Sequence, residues 1–366
     1  MNPPSAPPSP GSAQFRGIRA SGVLEHIDAT RDAHRLAQGG FWVMVATFEG
    51  RIDAWRFAHV ERALPERETP ASAAVWKGPP ADAWETSLDE VQYQAGVQRI
   101  RAVIREGGVY QVNLCRTLSA PLVAGREGPD AVALSQRLTR GNPARYASRI
   151  VVPESAHHPG VWIVSASPEL YLGINGATVE SSPIKGTAAP GVDMLDKDHA
   201  ENVMITDLIR NDLSRVAMPG TVRVPELLAH HPHPGLTHLQ STVAVTLAPE
   251  FEWTSDMWPA ILEGTFPPGS VSGAPKAAAL DVIRAQEPTP RGPYCGGIGW
   301  IDADSHTAEL AVGIRTFWWT PERGGRLHFG TGAGITWGSD PAGEWAETEL
   351  KATRLIALAS ADRLSA

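Results

Sequence analysis

Lys185 stands in ESSPIKGTAAPG, residues 180 to 191, with a proline two positions back and a glycine one position on. No other charge lies between Glu180 and Asp193, so the neighbours of the amine along the chain are rigid, small and uncharged. Upstream, ELYLGINGATVES carries Asn175-Gly176 between two strand-like runs, the strongest short-range hairpin signal. A two-residue turn at Asn175-Gly176 pairs Ile174 with Ala177 and sets Glu169 opposite Ser182. Lys185 follows three residues after Ser182, within about 10 Å along an extended chain. A carboxylate and an amine thus share the open end of one hairpin. Two chemistries fit: an ordinary ion pair at a hairpin end, or an acid and a nucleophile facing one substrate.

Four acids repeat one spacing. Asp198 and Glu201 are three apart in DKDHAENVMITDLIRND, and so are Glu344 and Glu347 in GEWAETELK. On a helix that spacing puts each pair on one face. Two such faces meeting would make an oxygen-rich site for Mg2+, which keeps some waters and takes one or two carboxylates. The same acids would also complement the dipole at a helix start. Anion-binding elements accompany them. GTGAGIT, residues 330 to 336, reads as a glycine-rich turn whose bare N–H groups could cradle a carboxylate. Arg315, in AVGIRTF, sits inside an apolar strand, where an unpaired guanidinium is costly and needs an anionic partner from protein or ligand. Lys351 lies one helical turn beyond Glu347.

The elements that must position these residues follow from periodicity. SLDEVQYQAGVQRIRAVIREGG (87 to 108) reads as a helix with Val91, Ala95, Ile100, Val103 and Ile104 near helical spacing. Further helices are expected in GPDAVALSQRLTRGNP, DKDHAENVMITDLIRNDLSRVA, SGAPKAAALDVIRAQEP and GEWAETELKATRLIALASA. Strands are expected in FWVMVATFEGRIDAWRF, VYQVNLCRTLSAPL, VWIVSASPELYLGINGATVESSP, STVAVTLAP, YCGGIGWID, AELAVGIRTFWW and RLHFGTGAGITWG. Strands come in neighbouring runs and helices singly between them. That order predicts an α+β class, one large layered domain with antiparallel sheets and outer helices. MNPPSAPPSPGS reads as a disordered, Pro-rich tail over residues 1–14, with one domain over 15–366.

Composition narrows the classes. A net charge of −8 points away from nucleic acid and anionic membranes, and no apolar run approaches a membrane span of roughly 18 residues. Two cysteines are too few for a disulfide framework or a zinc site, which fits a reducing cytoplasm. GSVSGAPK misses the phosphate-loop spacing, and GGIGWID lacks the third glycine of a dinucleotide fingerprint. The His-rich AHHPHPGLTH (229 to 238) has two prolines that prevent a helical metal pair, so its histidines are expected in a solvated loop. Neither cysteine lies in a glutaminase-type elbow.

Taken in order, YQVNL, SPELYL, ESSPIKGT, AENVMITDLIRNDL, THLQST, GSVSGAPK, YCGGIGW, GIRTF, GTGAGIT and EWAETELKA resemble the chorismate-utilising enzymes. They run from about residue 87 to 356, most of the chain, and make 87–360 a motif-bearing core with 15–86 a reduced N-terminal portion. Lysine in PIKGT resembles the aminodeoxychorismate-forming branch, since anthranilate-forming relatives typically carry a small residue there; anthranilate or isochorismate formation, or a silent binding paralogue, are the alternatives.

The resemblance implies a fold like that of anthranilate synthase component I and a chemistry to match it. Mg2+ on Glu201, Glu344 and Glu347, with Asp198 nearby, would grip the ring carboxylate. Lys185 would attack the ring, Glu169 would protonate the leaving hydroxyl, and ammonia from a separate glutamine amidotransferase subunit would displace the lysine. Ser270, Tyr294, Arg315, Lys351 and the backbone of Gly332, Ala333 and Gly334 match the family's substrate contacts, and His238 matches a position near the reacting ring. Such a lysine must lose its proton to attack, and moving its pKa from about 10.4 to 7 takes about 4.6 kcal/mol. A divalent cation and partial desolvation both push that way. The chain departs from its relatives in a short stretch between PIKGT and AENVMI, in a compact region before residue 87, and in Glu309, where aspartate is common.

Overall fold

The computed structural model of the chain describes residues 9–62, 75–188, 193, 194, 196–233 and 236–361. The chain opens with β1 (Ser9–Phe15), β2 (Ile18–Asp28), a single turn α1 (Ala29–Asp32), β3 (Phe41–Ala46) and β4 (Ile52–Arg62). A short β5 (Glu85–Thr86) precedes α2 (Glu90–Arg105), β6 (Gln111–Pro121), α3 (Ala131–Gly141) and the run β7 (Tyr146–Val152), β8 (Val161–Ser167), β9 (Leu170–Asn175), β10 (Thr178–Ser182) and β11 (Ile184–Ala188). Next come α4 (Asp196–Ser214), β12 (Arg223–His233), β13 (Leu236–Thr246), α5 (Met257–Thr265), β14 (Gly273–Ala274) and α6 (Lys276–Gln286). The chain closes with β15 (Gly297–Asp302), β16 (Thr307–Val312), β17 (Thr316–Thr320), β18 (Arg326–Ile335) and α7 (Pro341–Ala359).

Among the described residues these strands form one sheet of 18 strands, and every pairing is antiparallel. Followed edge to edge, the ribbon runs β13, β10, β9, β16, β15, β3, β4, β2, β1, β7, β8, β17, β18, β6. β11 and β12 pair with β13 at one end, and β5 and β14 with β6 at the other. Curling brings those ends together: Lys185 on β11 and Gln111 on β6 both donate to Glu201 on α4. A curled antiparallel sheet with helices outside is the α+β layered domain expected. The core is largely apolar, and β3 is covered on both faces, since all six of its residues are buried.

Several expectations are corrected by packing. Residues 9–14 are strand rather than tail, because Ala13 and Phe15 are buried and β1 is held between β2 and β7; residues 1–8 lie outside the described residues. β1–β4 occupy the middle of the ribbon, so the N-terminal portion is built into the sheet. The apolar stripe of α2 is Tyr93, Gly96, Val97 and Ile100, whereas Val91 is 77% exposed. The His-rich stretch is not a loop: Ala229, His230 and His231 belong to β12, paired with Gln240, Leu239 and His238. No helix among the described residues is long and apolar enough to cross a membrane.

The hairpin turn is also displaced by one residue, which moves the pairing by two. Asn175 pairs with Thr178, so the turn falls on Gly176-Ala177. Asn175 is retained in the strand because it also pairs with Thr307 of β16. A bulge between Glu180 and Ser182 then brings Ser182 against Leu170, one step from where a regular hairpin would put it.

Candidate active site

Glu169 lies between β8 and β9, 4% exposed, with its backbone fixed by the Val312 N–H donating to its carbonyl. Burial pushes its carboxyl up to about 7. The Ser270 hydroxyl, the charge of Lys185, the Ile184 N–H and Arg315 all act in the opposite sense. One carboxyl oxygen, Oε1, is buried without a hydrogen-bond partner. A buried acid poised near neutrality with a free oxygen can carry a proton to a ligand.

Lys185 donates to Glu201 Oε1 at 3.1 Å and is largely buried. The next residue, Gly186, has φ +86, and a Cβ there would stand 2.9 Å from the Asp198 Cβ, so helix α4 can approach β11 only over a glycine. Burial opposes the charge on Lys185, but Glu201, Glu169 and Glu347 outweigh it, and its pKa is raised. The local sequence suggested the reverse. Charges absent from the neighbouring residues arrive from α4 and α7 in space.

Lys185 feels acids from two helices, Glu201 of α4 by direct contact and Glu347 of α7 by charge. Glu344 is buried and raised by burial and by Glu347, while the Ser339 hydroxyl works the other way. For Glu347, burial is outweighed by Lys351, Lys197 and Lys185, and the carboxyl is lowered. Lys351 pairs with Glu347 Oε1 at 2.7 Å and donates to the Gly332 carbonyl at 3.0 Å. Among the described residues no three His, Cys, Asp or Glu side chains are gathered as ready-made metal ligands. Glu201, Glu344 and Glu347 are nonetheless hard oxygen donors of the kind Mg2+ takes one or two at a time, and each now leans on a protein donor.

The glycine-rich stretch is not a turn. Gly332, Ala333 and Gly334 lie in β18, paired with Cys115, Leu114 and Asn113 of β6. Pairing to β17 stops at Phe329, so Gly330 to Ile335 have no strand on that edge among the described residues. A Cβ on Gly334 would land on the Gln111 and Glu201 side-chain tips. These glycines therefore admit neighbours to a strand edge. Tyr294 is buried beneath Gly330, its phenol engaged by the Cys115 thiol and its pKa raised well above the ordinary value by burial and both cysteines.

Arg315 lies not within a strand but in the link between β16 and β17, in the left-handed region at φ +52. Burial lowers it and Glu169 opposes that. No side-chain hydrogen bond or ion pair holds its guanidinium among the described residues, and the acid whose charge reaches it is Glu169. His238, on β13, is buried and pairs with Thr187 of β11, two residues from Lys185. Thus Lys185, Glu169, Ser270, Glu201, Glu344, Glu347 and Arg315 are linked by contact or charge; Lys351 joins at the rim, and Tyr294 sits underneath. Gln111 was missed. Its signal is one of two amides alternating with apolar residues in the YQVNL strand, where it is fully buried and bonded to Glu201.

A sheet curled on itself, with an acid, a lysine, an unpaired arginine and two acidic helices at its seam, defines a site for a small anion. The chain belongs to the chorismate binding enzyme family, whose model matches residues 50–357, and is accordingly a chorismate-utilising enzyme. It is 32% identical over 354 residues to aminodeoxychorismate synthase component 1 of Klebsiella aerogenes, covering 91% of this chain and 73% of that one. It is 34% identical over 380 residues to anthranilate synthase component 1 of Streptomyces coelicolor, covering 97% of this chain and 68% of that one. The menaquinone-specific isochorismate synthase of Escherichia coli shares the fold, with a TM-score of 0.73 at 18% identity over 98% of this chain and 90% of that one.

Proposed function

We propose that this chain converts chorismate and ammonia to 4-amino-4-deoxychorismate. The observation that carries the reading is Lys185, an amine set between buried Glu169 and the α4 and α7 carboxylates. In this reading the deprotonated Lys185 Nζ bonds to ring C2, the double bond migrates, and the C4 hydroxyl leaves as water with a proton from Glu169. Ammonia then bonds to C4, the double bond returns, and the lysine amine is released. The net change is chorismate plus ammonia to product plus water. Arg315 and Lys351 would hold substrate carboxylates, aided by the open edge of β18 at Gly332, Ala333 and Gly334. Ser270 would fix Glu169, and His238 and Tyr294 would border the ring pocket.

Glu201, Glu344 and Glu347 would hold Mg2+, with Asp198 adjacent, and the ion would supply positive charge for the ring carboxylate. A cation on Glu201 would compete with Lys185 for the same oxygen. Ammonia would come from a separate glutamine amidotransferase subunit, in a reducing cytoplasm where the free, buried Cys115 and Cys295 persist.

The test is incubation with chorismate, ammonium and Mg2+, with the product identified by mass and ultraviolet spectrum and a chelator control. Aminodeoxychorismate is expected. Anthranilate or isochorismate would replace the assigned reaction, and a folded protein without turnover would overturn it.

A further inference from the structure

Helix α4 carries a second lysine–carboxylate contact outside the chemistry just described. Lys276, the first residue of α6, donates to Asp212 Oδ2 at 2.7 Å and to the Thr265 carbonyl at 2.9 Å. Thr265 is the last residue of α5. Residues 266–275 therefore form a segment closed at its neck by one ammonium group and docked by that group on α4. Within it, Gly269–Val271 make a 3-10 turn and Gly273–Ala274 pair with β6. Ser270, on that turn, stands near enough to Glu169 to act on its carboxyl, and its carbonyl accepts from Asn113 Nδ2 at 3.0 Å.

An ammonium at the first position of a helix is unfavourable for the helix dipole, so α6 gains nothing from Lys276. Buried ion pairs also contribute little net stability compared with apolar replacements. A cavity of about 10 Å³, at most room for one water, lies beside the segment, bordered by Tyr171, Asp212, Thr265 and Ser270. What the contact does supply is geometry, because one side chain fixes both ends of the segment relative to the helix that also carries Glu201.

We infer that Lys276 is a positioning residue: by closing 266–275 against α4 it holds the Ser270 turn in place beside Glu169, and so orients the carboxyl that delivers the proton. The role of Glu169 rests on the proposed function; the closure itself does not.

The experiment measures chorismate amination by the wild type, S270A, K276M and K276M/S270A, with amide hydrogen exchange across 266–275. K276M should lose about tenfold to a hundredfold in kcat with KM within about twofold, the signature of a misplaced group rather than lost binding. The double variant should lose no more than the worse single one. D212N, which keeps an acceptor, should retain most of the activity, and if K276M fails to fold, K276Q, which keeps the length but not the charge, replaces it in the same cycle. Multiplying losses, an unchanged kcat or an effect on KM alone would overturn the role. If the wild type does not turn over chorismate, the functional reading has failed, and exchange alone decides the closure. Exchange raised more in 266–275 than in the rest of K276M supports it, and exchange that is unchanged or raised uniformly sinks it.

Discussion

Two lysines meet the same helix at opposite ends. Lys185 reaches Glu201 at 3.1 Å, and Lys276 reaches Asp212 at 2.7 Å. Eleven residues separate the two acids, close to three full turns, so they lie on one face roughly 16 Å apart. Both lysines are mostly covered, so burial does not separate them; partners do. Lys276 has one carboxylate and one carbonyl, a closed arrangement, and burial lowers its pKa despite Asp212. Lys185 shares its acceptor with Gln111 and feels Glu169 and Glu347 besides, and surplus acid raises its pKa. A lysine with one partner is a fastener. A lysine among several can be handed from one to another, which is what a reacting group needs.

The largest expected effect breaks the comparison by removing each amine in turn. Lys185→Ala should cost on the order of 10⁴-fold or more in kcat for chorismate amination, as loss of a covalent nucleophile does. Its stability should fall less than that of Lys276→Met, because Glu201 keeps Gln111. Lys276→Met leaves Asp212 buried without its ion-pair partner and with only the charge of Arg215 acting on it, at about 3–5 kcal/mol. Kinetics and urea midpoints on both variants decide it; equal stability losses with equal activity losses would erase the distinction.

Next in size is Glu169→Gln, which should cost about 10²- to 10⁴-fold in rate. In the wild type, the rate should fall as pH rises through about 7, because the protonated form is the donor. The same substitution should act on stability with a definite sign. A carboxyl raised in the folded state adds stability below its unfolded pKa and loses it as pH climbs through the folded value. Glu169→Gln should therefore stabilise the protein at pH 8 relative to pH 4, by on the order of 3 kcal/mol. A variant whose advantage is the same at both pH values would show that Glu169 is not the strained acid.

What could be read in the chain was mostly local. Helix α4 and α7 show in spacing, and so do the acids they carry. PIKGT marks its lysine by what surrounds it. Long-range matters were misjudged where a neighbour overrode a local rule. β16 held Asn175 in its strand and moved the hairpin turn. β6 flattened the glycine run of β18 into a ladder. β2 and β7 captured residues 9–14 from a tail-like composition. Helix α5 went unnoticed because it is only nine residues long, has Pro259 in its first turn and carries a single charge, Glu263. The charge state of Lys185 was illegible for the same reason, since its acids come from other elements.

The smallest effect is a control from the far side of the sheet, where an ionisable group lacks any acid partner. His328 on β18 stacks on Trp318 with ring centroids 5.2 Å apart and bonds to the Thr320 hydroxyl at 3.1 Å. Burial, aided by Arg326, lowers its pKa to about 4. The folded state therefore resists a proton that the unfolded chain accepts below about 6.5, and stability should fall as pH drops from 6.5 to 4. Because the ring is only partly covered, about 1–2 kcal/mol is the expected size after screening. His328→Phe keeps the stacked ring but cannot titrate, so its urea midpoint should fall less than the wild type's across that range. Parallel pH slopes would mean His328 takes up its proton without strain. The contrast with α4 would then reduce to partners alone, since a buried base with no acid beside it would cost nothing to charge.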